Sequence, residues 1–193
     1  MPLEEESLFF HSLAMITINF EDTYDPIGMD PDLCEMRFIS PQKAGADREL
    51  LLKITPHPNP FLPNVYNLGF GPPGGKGGFL DDVRLKHADV GKVFSTVLFH
   101  ALTFLQASPH LTIGIDGSND VRATLYHQMI KRNRDYLEDV FVVIGVDWYV
   151  RVFRDWTVEQ DDNGHLLPKP RPELFDYERE RHDLYRYYMF RLR

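Results

Sequence analysis

The chain has 193 residues, 43% of them hydrophobic and 26% charged. That is enough to bury a core of its own, and it excludes wholesale disorder, while the lone Cys34 excludes a disulfide framework or a Cys-based metal site. The formal net charge of −8 lies entirely in residues 1–40, with nine acidic groups against Arg37, so residues 41–193 balance at 20 of each sign.

Leu13 to Phe20 alternates, with Ile16, Ile18 and Phe20 on one face, and predicts a strand that Asp25-Pro-Ile-Gly28 ends. Residues 34–39, 49–55 and 64–70 predict three more strands. Four prolines within residues 56–63 exclude regular structure there. GPPGGKGG at 71–78 predicts a flexible tip, and 79–85 the returning strand of a hairpin. Val90, Val93, Phe94, Val97, Leu98, Ala101, Leu102 and Leu105 follow helical spacing, with Asp89 in N-cap position and Pro109 beyond the end, and predict a helix over 90–107. Residues 111–115 predict a short buried strand, and Gly117-Ser-Asn-Asp120 opens a second helix over about 119–137. Strands follow at 141–145 and 148–153, then a hairpin over 157–167 about Asn163-Gly164. The Pro-rich run 167–172 predicts a stiff linker, and Pro172 suits the first turn of a helix running to the C-terminus. The pattern predicts an α+β fold: a largely antiparallel sheet with two helices packed on one face over 1–167, then a C-terminal helical extension over 168–193.

The strand-to-helix turn from Asp116 to Arg122 is the first candidate site. Free N–H groups and the helix dipole favour an anion there, and Arg122 and Tyr126 at i, i+4 share one face. Gly117, Ser118, Arg122 and Tyr126, with Asp81 and Asp82 nearby, are the candidate ligand residues; pairing of Arg122 with Asp116, Asp120, Asp81 or Asp82 is the structural alternative. Other chemistries lack their patterns. Gly75-Lys76 is followed by Gly77 where a P-loop needs Ser or Thr, and Phe70 replaces its first glycine. Asp81, Asp82 and Asp116 lack the acid-x-Lys companion of a metal-dependent nuclease, and the scattered histidines form no close ligand pair. Ser118 sits in no G-x-S-x-G elbow. No catalytic residue, metal or cofactor is therefore assigned.

Three stretches carry a resemblance: Asn64-Val-Tyr-Asn-Leu-Gly-Phe-Gly71 followed by Asp81-Asp82; Val93-Phe-Ser-Thr-Val97 running towards Phe104; and Gly117-Ser118…Arg122…Leu125-Tyr126 leading to Phe141-Val-Val-Ile-Gly145. In these, residues 64–153 resemble a family of small bacterial proteins of unknown function. The resemblance implies a compact sheet with two helices and no established activity. Residues 1–50 and about 155–193 depart from it.

No run of about 18 apolar residues is present to span a membrane, and the acidic start is unlike a basic leader, so a cytoplasmic location is expected. The first expectation of function is a non-catalytic binding or regulatory protein acting through protein contacts. Leu184, Tyr185, Tyr188 and Leu192 on the terminal helix would serve a protein partner or a homodimer. The alternative is a binder or enzyme of phosphate esters, nucleotides or nucleic acid at the Gly117–Arg122 helix start. The overall acidity disfavours nucleic acid as a partner.

Overall fold

The computed structural model describes residues 16–80, 83, 85–117 and 119–193. The strands are β1 (Pro26–Met29), β2 (Glu35–Ser40), β3 (Arg48–Pro56), β4 (Val65–Gly71), β5 (Thr112–Asp116), β6 (Phe141–Tyr149), β7 (Lys169–Leu174) and β8 (Tyr187–Leu192). They form one open sheet in the order β1-β2-β3-β4-β5-β8-β6-β7. Only β4 and β5 run parallel; every other neighbouring pair is antiparallel. A parallel pair needs a crossover, which helix α1 (Val90–Ala107) supplies. Helices α2 (Asp120–Arg132) and α3 (Arg134–Glu138) join β5 to β6. The fold is thus mixed α and β, dominated by an antiparallel eight-stranded sheet.

Strand alternation divides the side chains. Met36, Phe38, Leu50, Leu52, Ile54, Leu68, Ile113, Ile115 and Phe190 share the main core with Val93, Val97, Leu98 and Leu105 of α1 and Met129 and Ile130 of α2. A smaller cluster of Leu62, Val65, Val146, Tyr187 and Met189 lies apart from it. Helix α1 begins where expected, the Asp89 carboxylate accepting from the Lys92 N–H at 2.8 Å. Its 18 residues have a mean hydropathy of 1.3, enough by length and composition to cross a membrane. Most of the helix is instead buried inside the protein, as a core helix would be.

The C-terminal region differs most from the sequence expectation. In place of a linker and helix, residues 169–174 form β7 and residues 187–192 form β8, inserted between β5 and β6. Pro170 faces Trp148 and Pro172 faces Val146, while the Phe175 N–H bonds Val143 O at 3.1 Å. The prolines therefore occupy the outward-facing phase of an edge strand, where no ladder N–H is needed. Tyr185, Tyr187, Tyr188, Met189 and Phe190 are all buried, an all-round apolar pattern that a central strand satisfies on two faces. The docking surface drawn on Leu184, Tyr185, Tyr188 and Leu192 rested on the helix; Tyr185 and Tyr188 are wholly buried in the chain's own core. Gly145 permits this, since a Cβ there would overlap the Tyr185 ring. Arg179 fixes the approach to β8, gripping the two Asp147 oxygens at 2.8 and 2.7 Å and Glu173 at 2.7 Å, and stacking 3.7 Å from the Tyr185 ring centre.

Other departures have local causes. Ile16 and Ile18 are buried as their alternation predicts, but residues 16–18 join no strand. Side chains hold that backbone: Ile18 N–H donates to Asn133 Oδ1, Asn19 N–H to Ser95 Oγ and Phe20 N–H to the Tyr136 hydroxyl. Residues 13–15 of the predicted strand lie outside the described residues. Residues 79–80 return antiparallel beside residues 72–73, with Phe79 bridging Pro73 and the Leu80 N–H donating to Pro72 O at 2.8 Å, an isolated bridge and not a strand, while residues 81, 82 and 84 of the predicted strand lie outside the described residues. The predicted helix over 119–137 breaks at Asn133, whose side chain is turned inward to the 16–18 segment. The two predicted strands at 141–145 and 148–153 are one strand to Tyr149, with Asp147 neutralised in place by Arg179 and Arg171.

Candidate functional site

At the start of α2, the Asn119 side chain accepts from the Arg122 N–H at 2.9 Å, and the Gly117 N–H donates to Arg186 O at 3.0 Å. Two of the N–H groups expected to cradle an anion are thus engaged within the chain. Tyr126 packs edge-on against Phe94 and Tyr188, at ring-centre distances of 6.1 and 6.0 Å. Burial pushes its phenol up to about 12, with the Arg122 charge acting the other way and Asp116 adding to the rise. The structure therefore brings Asp116, Arg122 and Tyr126 into one electrostatic neighbourhood, with Tyr126 serving as packing. Asp81, Asp82 and Ser118, the remaining candidates, lie outside the described residues.

A cleft of about 350 Å³ opens at the end of β5, lined by His57, Asn67, Asp116, Trp148, Arg186 and Tyr187. Asn67 of β4 pairs in register with Gly114 of β5. Gly114 is required there, because a Cβ would overlap the Tyr187 ring that lies over it. The Tyr187 hydroxyl donates to Asn67 Oδ1, which orients the amide. His57 lies nearly parallel to Trp148, at 6.4 Å and 20°, and edge-on to Tyr187 at 5.1 Å. Its Nδ1 accepts from the Asn59 N–H at 3.0 Å, so the neutral ring carries its proton on Nε2. Desolvation lowers the His57 pKa, opposed by the Asp116 charge, which favours that neutral form. Arg186 pairs with Asp120 at 2.7 Å. Of this group the sequence reading sets only Asp116 beside the candidate site, as a pairing partner of Arg122 or a possible metal carboxylate. Asn67, a polar residue inside an apolar strand, was the available signal for the rest.

Residues 150–167 form a narrow arm of two successive turns. Val152 bridges Val158, and Gln160 bridges Leu166; the second turn is the expected one, closed by Gly164 N–H to Asp161 O at 3.0 Å. Val152, Phe153, Val158 and Leu166 are exposed on the arm, and Trp156 is 87% exposed. Trp156 has φ 67°, a left-handed conformation that a bulky side chain disfavours. Asp155 holds the turn, its carboxylate accepting from the Thr157 N–H at 3.1 Å and the Thr157 hydroxyl at 2.7 Å. The ion pair of Lys169 with Glu159, at 2.7 Å, ties the arm to β7.

No curated protein and no solved structure matches this chain significantly. One family model does, over residues 21–165, which takes in β1 to β3 and residues 154–165 of the arm, outside the stretch that carried the resemblance. The match ends before β7 and the central β8. Covering well over half of the sequence, it shows that the chain belongs to DUF6934, a family of unknown function.

Proposed function

We propose that this protein is a non-catalytic binding protein that works through protein–protein contacts, with the 150–167 arm as its contact surface. The observation that carries this reading is Trp156, a large aromatic held almost fully in solvent on a backbone conformation it disfavours. Isolated exposed apolar residues need no explanation, but a run of five on one projecting arm marks an interaction surface. Trp and Arg are also the residues that anchor such contacts. Both sheet edges are poor alternatives. Prolines occupy β7, and β1 is four residues long, carries Pro26 and departs from regular register beside it.

The partner that fits best is a second copy of the same arm. Arg151 and Arg154 precede Asp155, Asp161 and Asp162, so the arm carries both signs, as a two-fold interface requires of a self-complementary patch. Light scattering and sedimentation across a concentration series test this. The unaltered chain is expected to dimerise, and Trp156→Ser to remain monomeric with unchanged thermal stability. A monomer at every concentration for the unaltered chain, or a Trp156→Ser variant that dimerises as well, refutes the reading.

A further inference from the structure

Strand β7 covers β6 for only part of its length. The ladder runs from Tyr149 facing Lys169 to Ile144 facing Leu174, and Phe175 adds one bond, its N–H donating to Val143 O at 3.1 Å. On the other side β8 continues to Phe141, which faces Leu192. The Arg193 N–H donates to Val140 O, so in this stretch the even-numbered residues turn their N–H and C=O towards β8. The odd-numbered ones turn theirs towards the line of β7, where Val143 O takes the Phe175 N–H. The N–H and C=O of Phe141 and the N–H of Val143 therefore lie along an open edge, with no hydrogen-bond partner among the described residues.

A groove of about 390 Å³ lies against that edge. Phe141, Val143, Leu174 and Phe175 give it an apolar lining, and Leu174 is 73% exposed, more than any other Leu, Ile or Val among the described residues. Arg134, Glu138 and Arg193 line it too. Both oxygens of the Glu138 carboxylate are engaged, one by the Tyr177 hydroxyl at 2.7 Å and the other by Arg134 at 3.5 Å. The Arg193 guanidinium donates to the backbone carbonyl of Glu138 and forms no ion pair among the described residues. Such a groove suits a short extended segment that adds its backbone to the edge, with apolar side chains and carboxylates together.

The chain itself carries that combination. Residues 4–10 read Glu-Glu-Glu-Ser-Leu-Phe-Phe. The point of departure is close as well: Ile16, the first of the described residues, has its carbonyl bonded by Asn133 Nδ2 at 3.0 Å, and Asn133 immediately precedes Arg134 of the groove. The six residues from Phe10 to Ile16 can span up to about 20 Å, well beyond the roughly 10–12 Å diameter of a helix. We infer that the groove is the docking site of this chain's own N-terminal segment. Leu8-Phe9-Phe10 completes the edge of β6 in line with β7 and covers Leu174, and Glu4, Glu5 and Glu6 answer Arg193 and Arg134. The contact closes the stretch of β6 edge that β7 leaves open to strand pairing. It lies apart from the 150–167 arm and does not depend on the protein-contact reading.

Amide hydrogen exchange in the full chain, read at Phe141 and Val143 by NMR, tests this. Both amides are expected to be protected in the unaltered chain. Leu8→Asp with Phe10→Asp should speed their exchange by roughly tenfold or more, the effect of losing one net hydrogen bond, while amides within β5 keep their protection. Arg193→Glu should speed the same two amides, and adding Glu4→Lys, Glu5→Lys and Glu6→Lys should restore them. Equal exchange in the unaltered chain and the Leu8→Asp, Phe10→Asp variant overturns the inference. So does an Arg193→Glu effect that is absent or that the reversed charges fail to rescue. Protection that rises with protein concentration overturns it too, because the segment would then come from a second copy. Should the double variant fail to fold, the charge exchange decides alone.

Discussion

Asn133 is a single side chain on which the docking of residues 16–18 depends. It is buried between the end of α2 and that segment, and it makes three hydrogen bonds there. Its Oδ1 accepts from the Ile18 N–H at 2.8 Å, and its Nδ2 donates to Ile16 O at 3.0 Å and Met129 O at 2.7 Å. Replacing it with Ala deletes all three. At about 0.5–1.5 kcal/mol net for each, the variant should lose about 2–4 kcal/mol. If the segment then detaches, Ile16 and Ile18 leave the core as well, adding about 1.5–3 kcal/mol each. Urea unfolding reads the total, and hydrogen exchange at the Ile18 amide separates the cases, because only detachment exposes that amide at low cost. Asn133→Asp sharpens the test. It keeps the acceptor for Ile18 but sets a carboxylate against the carbonyl oxygens of Ile16 and Met129, which raises its folded pKa. A raised folded pKa means that stability is present below the unfolded value and lost as pH rises through the folded one. Asn133→Asp should therefore approach the unaltered chain as pH falls towards about 4. A loss below about 1 kcal/mol for Asn133→Ala, with Ile18 still protected, would refute the account.

Two other expectations follow from the sheet edge and the buried histidines. Pro170→Thr with Pro172→Thr restores two outward N–H groups to an edge strand without breaking a ladder bond, so unfolding stability should change by less than about 1 kcal/mol. The same variant should self-associate through the opened edge, seen as concentration-dependent β-rich aggregates by light scattering; a variant as dispersed as the parent contradicts the edge argument. His87, His100 and His127 all have pKa values lowered chiefly by desolvation. Each contributes stability that is whole above the unfolded value near 6.5 and lost as pH falls towards the folded one. The thermal midpoint should drop between about pH 7 and pH 5, and His127→Phe, which removes a buried Nδ1 with no hydrogen-bond partner, should flatten that drop. An equal slope in parent and variant would remove His127 from the explanation.

How far the sequence exposed the fold depended on whether a pattern was local. Helix α1 could be read to the residue, because Asp89, the 3.6-residue stripe and Pro109 all lie within its own span. Strands β2 to β5 were legible from alternation or short apolar runs bounded by breakers. The terminal strands were not. An edge strand with prolines on its outward phase has the composition of a linker, and a central strand buried on both faces has no period to distinguish it from an apolar helix. The deciding facts are distant: Gly114 and Gly145 leave room for Tyr187 and Tyr185, and nothing in residues 184–192 announces those partners. Ile16 and Ile18 teach the converse. Their alternation fixed which side chains go inward, while the backbone's partners came from side chains on α1, α2 and α3.

The site was less legible for the same reason, carried further. His57, Asn67, Asp116, Trp148 and Arg186 come from five separate segments, and β8 unites them by entering the sheet between β5 and β6. A reader who places residues 172–193 on a helix cannot assemble the cleft, and is left with the one local feature at that end of β5, the start of α2. That start has the composition of an anion site. Yet the Gly117 N–H that would serve it is engaged by Arg186 O, the backbone just ahead of the same inserted strand. The insertion of β8 thus closes one N–H of the phosphate-type site that the sequence suggests. It also supplies the Tyr187 and Arg186 side chains of the cleft the sequence hides. Which groups meet at a site is therefore set by which strand completes the sheet, and a motif read along the chain can be closed by backbone arriving from a distant segment.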